Sequence, residues 1–152
     1  MEIKTKELTS RSLIGIRRDV PQKEIGDFIP STFAKVGPYF QENGMTMTGP
    51  PAAIYYGERG NKMDMAAGAP VTRVTAITDE ITELELPGDK VATTIYEGPY
   101  KGIPAAWDQF AAEIIGQGLI TMEPCWEKYL TSPEMEPDSS KWQTLMVQPL
   151  AD

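Results

Sequence analysis

Apolar residues recur at helical spacing in two stretches and at strand-like spacing through much of the rest. Ile25, Phe28, Ile29, Phe33 and Val36 repeat at intervals of three and four, which predicts a helix with one apolar face. Pro21 suits its start, with Glu24 in the first turn, and Gly44 suits its stop. Pro30 predicts a kink, or a short helix followed by a longer one. Ile103, Ala106, Trp107, Phe110, Ala111 and Ile114 mark a second amphipathic helix, ended by Gly116 and Gly118. Residues 2–20 read as one extended segment. Residues 52–56 read as a strand, with a turn at 58–61 and a returning strand over 63–74. The β-branched run at 90–96 is the best strand in the chain. It follows a Pro87-Gly88-Asp89 turn and is broken by Glu97-Gly98-Pro99. Residues 124–130 and 142–147 complete the strands, with a polar loop over 132–140 between them and Pro149 ending the last.

The order of these elements repeats. A shift of 74 residues brings Gly44 onto Gly118, Pro50 onto Pro124 and Tyr55 onto Tyr129. In front of these, Asp19-Val20-Pro21 lines up with Glu97-Gly98-Pro99 at a shift of 78. Each half then reads strand, helix, strand, strand. The expectation is a single α+β domain over residues 1–152, with repeat halves of about 1–78 and 79–152, an antiparallel sheet and two main helices. One half alone has too little core. Two halves joined along a shared edge would remove two exposed strand edges and create a pseudo-twofold axis. A cleft near such an axis is a common place for a ligand.

The strand at 124–130 carries the most chemistry. Alternation puts Cys125, Glu127 and Tyr129 on one face and Trp126, Lys128 and Leu130 on the other. A carboxylate among aromatics is costly to bury without a partner. Two readings are open: a salt bridge or a water-exposed strand end, and a pocket whose partner is a cationic ligand. At the positions equivalent to Trp126 and Glu127 the first half has Ala52 and Ala53. That leaves room for a flat molecule, or is simply small packing against large. Tyr55 and Tyr129 are expected to face each other across the axis.

Composition narrows the choice. The 152 residues carry a net charge of −8, with Lys and Arg scattered. This argues against nucleic acid as a partner. There is no histidine and a single cysteine, which excludes Ser-His and Cys-His nucleophile pairs, His- or Cys-cluster metal sites and an intrachain disulfide. A Gly-rich phosphate loop is missing, so no cofactor is expected. No apolar run reaches the length of a membrane span, and the N-terminus is unlike a signal peptide. A cytoplasmic protein without a membrane partner is the default.

Three stretches resemble the gyrase-inhibitor-like (GyrI-like) family, the effector-binding domain of bacterial transcription activators of the BmrR type. They are Ile95-Tyr96-Glu97-Gly98-Pro99-Tyr100, Trp126-Glu127-Lys128-Tyr129 and Leu145-Met146-Val147-Gln148-Pro149-Leu150. The resemblance implies a duplicated strand-helix-strand-strand fold. It also implies a pocket lined by aromatics, with Glu127 at the position of the family's strand glutamate. Lipophilic, planar or cationic small molecules are the implied ligands, with no cofactor. On this reading Glu127 supplies the counter-charge, Tyr55, Trp107, Trp126 and Tyr129 are candidate walls, and Cys125 lies beside them. Alternation turns Trp126 away from Glu127, and Trp107 can equally be a helix–sheet core residue. The second implied activity is hydrolysis of strained cyclopropanoid toxins. There Glu127 would be the general base, and Tyr55 or Tyr129 would orient water or donate a proton. A third is interaction with gyrase, for which the dispersed acidic residues give weak support.

Overall fold

In a computed structural model, which describes residues 1–73, 77–131 and 133–151, the N-terminal extended segment divides at Thr9-Ser10. Its two parts are β1 (Lys4–Leu8) and β2 (Arg11–Pro21). A 3-10 turn leads into α1 (Ile25–Glu42). The strands β3 (Ala52–Arg59) and β4 (Lys62–Ala69) form a hairpin across Gly60-Asn61. Then come β5 (Thr82–Leu86), β6 (Asp89–Glu97), a second 3-10 turn, α2 (Ile103–Gly116), β7 (Cys125–Tyr129) and β8 (Gln143–Pro149). The expected returning strand stops at Ala69, before Pro70, and its expected end, Val74, lies outside the described residues. Ser132, where the polar loop was to begin, also lies outside them, as does Asp152. No helix among the described residues is long and apolar enough to cross a membrane.

The chain divides into two compact units, Ser10–Pro87 and Met1–Thr9 with Gly88–Asp152. The first has the strand order β5-β2-β4-β3 and carries α1. The second has the order β1-β6-β8-β7 and carries α2. Every pairing within each unit is antiparallel. The class is thus α+β, built from duplicated strand-helix-strand-strand units, as the order of elements in the sequence indicates.

Each unit has a fourth strand that comes from ahead of the other repeat. β1 precedes β2 in the chain, yet it pairs with β6, from Lys4 opposite Thr93 to Leu8 opposite Asp89. β5 runs straight into β6, yet it pairs with β2, with Leu84 opposite Leu13 and Leu86 opposite Arg11. The alternation Glu83-Leu84-Glu85-Leu86 explains the second choice. It buries both leucines and leaves both glutamates exposed, and Leu13 supplies an apolar neighbour. The division between the compact units therefore falls at Pro87-Gly88, and the first nine residues go with the second unit.

α1 is one helix of 18 residues that runs through Pro30 and Pro38. Both prolines are exposed, so the carbonyls they leave without a backbone donor can reach water. Both helices stop in the same way. Gly44 and Gly118 have φ of 67° and 77°. Met45 N–H bonds to Phe40 C=O and Leu119 N–H to Ile114 C=O, at 2.9 and 3.3 Å. Each pair also packs within its own core cluster. This closing motif needs a left-handed residue, which glycine supplies without a side-chain clash. The 74-residue repeat is therefore visible as two matching caps.

Candidate functional site

The site lies in the second unit, on β7. In its register with β8, Glu127 faces Met146, Tyr129 faces Thr144, Trp126 faces Val147 and Lys128 faces Leu145. Met146 packs with Ala106, Phe110 and Ile114 of α2. Strand alternation thus turns Glu127 and Tyr129 toward the helix-covered face of the sheet. Glu127 is 1% exposed. Trp126 lies on the opposite face, fully buried, and its indole N–H has no hydrogen-bond partner.

The apolar face of α2 positions the next group. Ile103, Ala106, Phe110 and Ile114 seat the helix on the sheet, and Trp107, beside Ala106 in sequence, is half-buried at the edge of that contact. Its Nε1–H donates to Glu127 Oε1 at 2.8 Å. The Tyr129 hydroxyl donates to Glu127 Oε2. An indole and a phenol therefore hold one carboxylate oxygen each, and neither donor carries a charge. Trp107 serves both as a core residue, 5.7 Å from Phe110 between ring centres, and as a partner of the carboxylate.

An aromatic wall continues from Tyr129. The Tyr100 ring meets Tyr129 edge-on at 5.6 Å and Trp142 at 4.6 Å. These spacings fall in the favourable range for aromatic pairs. Trp142 is fixed by its N–H bond to Glu136 C=O at 2.6 Å. Nearby, the Tyr96 hydroxyl donates to Pro99 C=O at 2.8 Å and ties the Glu97-Gly98-Pro99 break back onto β6. Tyr100 and Trp142 were not among the sequence candidates. Tyr100 closes the stretch that begins at Ile95, which was the available signal. Trp142 was read as the start of the last strand, which instead begins at Gln143.

Cys125 and Tyr55 complete the sequence candidates. Cys125 lies two residues before Glu127, and its thiol is pushed up to about 12 by burial and by the Glu127 charge. It is therefore protonated and a poor nucleophile at neutral pH. Tyr55 belongs to the first unit, where it packs against the cluster of Val20, Phe28, Met65 and Ala67. That unit has its own buried carboxylate, Asp64, with a different environment. Arg17 grips it through Nε and Nη2 at 3.0 and 2.8 Å, and Arg59 adds a contact at 2.9 Å. Arg17 also lies 3.6 Å over the ring of Tyr56. The bonds from Arg17 hold the Asp64 carboxyl below its ordinary range, as expected for a structural ion pair. An open groove of about 340 Å³ beside Ile16, Arg17, Arg18, Asp79, Glu80 and Thr82 offers mixed charge and no aromatic ring. Among the described residues no group of three or more Cys, Asp or Glu side chains converges as a metal site.

Comparisons with known proteins agree with this architecture. The model of the GyrI-like small molecule binding domain matches residues 1–151. No curated protein is a significant sequence match. Among solved structures, the chain is similar to EcmrR in a cryo-EM complex with DNA, with a TM-score of 0.84 at 20% identity. That match covers 99% of this chain and 57% of the EcmrR chain, so the sequence spans little more than half of that protein. It is similar to SAV2435 bound to tetraphenylphosphonium, with a TM-score of 0.75, 18% identity, and 99% and 94% of the two chains covered. It also resembles a hydrolase from Listeria innocua, with a TM-score of 0.62, 11% identity, and 99% and 92% covered.

Proposed function

The chain belongs to the GyrI-like small molecule binding domain family, and from that premise we propose that it binds lipophilic organic cations, with Glu127 as the counter-charge. The observation that carries this reading is a carboxylate 1% exposed, with its oxygens oriented by Trp107 and Tyr129 at one end of the Tyr129–Tyr100–Trp142 wall. A delocalised cation is weakly hydrated and leaves water readily. Ring contact contributes about 0.5–2 kcal/mol per aromatic face, and a carboxylate in a partly dry setting adds attraction without demanding fixed geometry. The similarity in fold to SAV2435, seen with tetraphenylphosphonium, supports the same ligand class. Calorimetric titration tests the role of charge. Tetraphenylphosphonium should bind saturably and triphenylphosphine oxide, a neutral analogue, much more weakly. Equal affinities, or no saturable binding of the cation, would overturn the reading.

A second reading is hydrolysis of a strained electrophile. It is favoured by the contact of the Tyr129 hydroxyl with Glu127, which pairs a candidate base with a group able to orient water or give up a proton. Product analysis by mass spectrometry, comparing wild type with Glu127→Gln, separates turnover from binding. A product formed at equal rate by both proteins, or by neither, removes this reading.

A further inference from the structure

Three side-chain polar atoms among the described residues are buried without a hydrogen-bond partner: Thr32 Oγ1, Trp126 Nε1 and Thr144 Oγ1. Thr32 belongs to α1 in the first unit, and Trp126 points to the sheet face away from Glu127. Thr144 is placed differently. It faces Tyr129 on β7 and Tyr96 on β6. It therefore lies between two phenols, on the helix-covered face, in the row next to the Glu127–Met146 pair. It is 0% exposed. The flanking hydroxyls are directed elsewhere, that of Tyr96 to Pro99 C=O and that of Tyr129 to Glu127. A buried hydroxyl with no partner is unfavourable, and a valine of the same shape would avoid the cost.

Resting on the ligand reading above, we propose that Thr144 Oγ1 makes a hydrogen bond to the bound molecule. The preferred ligand is then an aromatic cation that carries an N–H group. Coulomb attraction to Glu127 and stacking on the wall are weakly directional, so alone they give broad specificity. One buried hydroxyl adds a directional requirement, because a ligand without the matching group leaves it unpaired. The hydroxyl can accept from a ring amino group, whose N–H bonds lie near the plane of the aromatic system, while the ring faces stack.

Calorimetry with two cations tests this. Ethidium bears two ring amino groups, and tetraphenylphosphonium has no hydrogen-bonding atom. Thr144→Val should weaken ethidium binding about tenfold and leave tetraphenylphosphonium unchanged. Thr144→Ser, which keeps a hydroxyl, should restore most of the ethidium affinity. The melting temperature of ligand-free Thr144→Val should stay level or rise. An equal effect on both cations would overturn the inference while leaving the ligand reading intact. A clear loss of stability in the free valine variant would also overturn it, since the hydroxyl would then serve the fold. Failure of the wild type to bind either cation would remove both readings together.

Discussion

Replacing Glu127 by glutamine separates binding from folding. The amide keeps the shape of the carboxylate. Its oxygen can still accept from Trp107 Nε1, now 2.8 Å from Oε1, and its NH2 can donate to Tyr129, whose phenolic oxygen also accepts. Each bond falls from charge-assisted to neutral, a loss of about 1 kcal/mol apiece. Against this, the desolvation of a carboxylate 1% exposed, of the order of several kcal/mol, is removed. Glu127→Gln should therefore melt at or above the wild-type temperature. Binding should move the other way. A cation centre about 5 Å from the carboxylate gains roughly 3 kcal/mol at an effective dielectric constant of about 20. Charge delocalisation reduces this, so the expected loss in tetraphenylphosphonium affinity is about ten- to a hundredfold. Thermal melts and calorimetric titrations on one preparation read both effects. Glu127→Ala is the contrast, because it leaves two half-buried donors, Trp107 and Tyr129, without the carboxylate, at up to about 1–3 kcal/mol each, and should destabilise the fold. If Glu127→Gln lowers stability by more than about 2 kcal/mol and leaves affinity unchanged, the carboxylate serves the core and the argument fails.

Other expectations concern stability and reactivity. Asp64→Asn should cost about 1–3 kcal/mol at neutral pH, because it weakens bonds from two arginines to a buried acceptor. The folded Asp64 carboxyl titrates below its ordinary 3.8. Its contribution is therefore complete above that value and is lost as pH falls through the lower folded value. Urea titrations of wild type and variant should converge in acid, and a gap that persists there would argue against the ion-pair account. Cys125, with its thiol at about 12, should resist iodoacetamide at pH 8 in the native state and react once unfolded. Rapid native labelling seen by mass spectrometry would contradict its placement. Gly44→Ala and Gly118→Ala meet nothing within 4 Å of the added Cβ, so left-handed backbone strain alone should cost about 1 kcal/mol in each. Strongly unequal melting shifts would mean that the two caps are not equivalent.

Much of this was legible where the information is local. The β-branched residues of β6, the apolar spacing of Ile103, Ala106, Phe110 and Ile114, and the terminating glycines each point to one element by short-range sterics and periodicity. Alternation along residues 125–129 also put Glu127 and Trp126 on opposite faces. What could not be read was long-range choice. Nothing in Lys4–Leu8 says that its partner is β6 rather than β2, because pairing depends on how two hairpin edges compete after the chain collapses. The continuity of α1 through Pro30 depends on that turn facing water. The Trp107–Glu127 bond requires the offset of α2 along β7, which helical period alone does not set. Tyr100 meets Tyr129 and Trp142 for the same reason, through two loops whose paths no pattern predicts.

The crossed assignment of the edge strands has a kinetic consequence. Lys4–Leu8 emerges from the ribosome more than eighty residues before Asp89–Glu97, with which it zips. During that interval Ser10–Pro87 is continuous and has all four of its own strands. It can therefore be finished while the leading segment still waits, with its amides and carbonyls bonded to water. Translation order thus makes a strand synthesised ahead of Ser10–Pro87 one of the last to be stitched in.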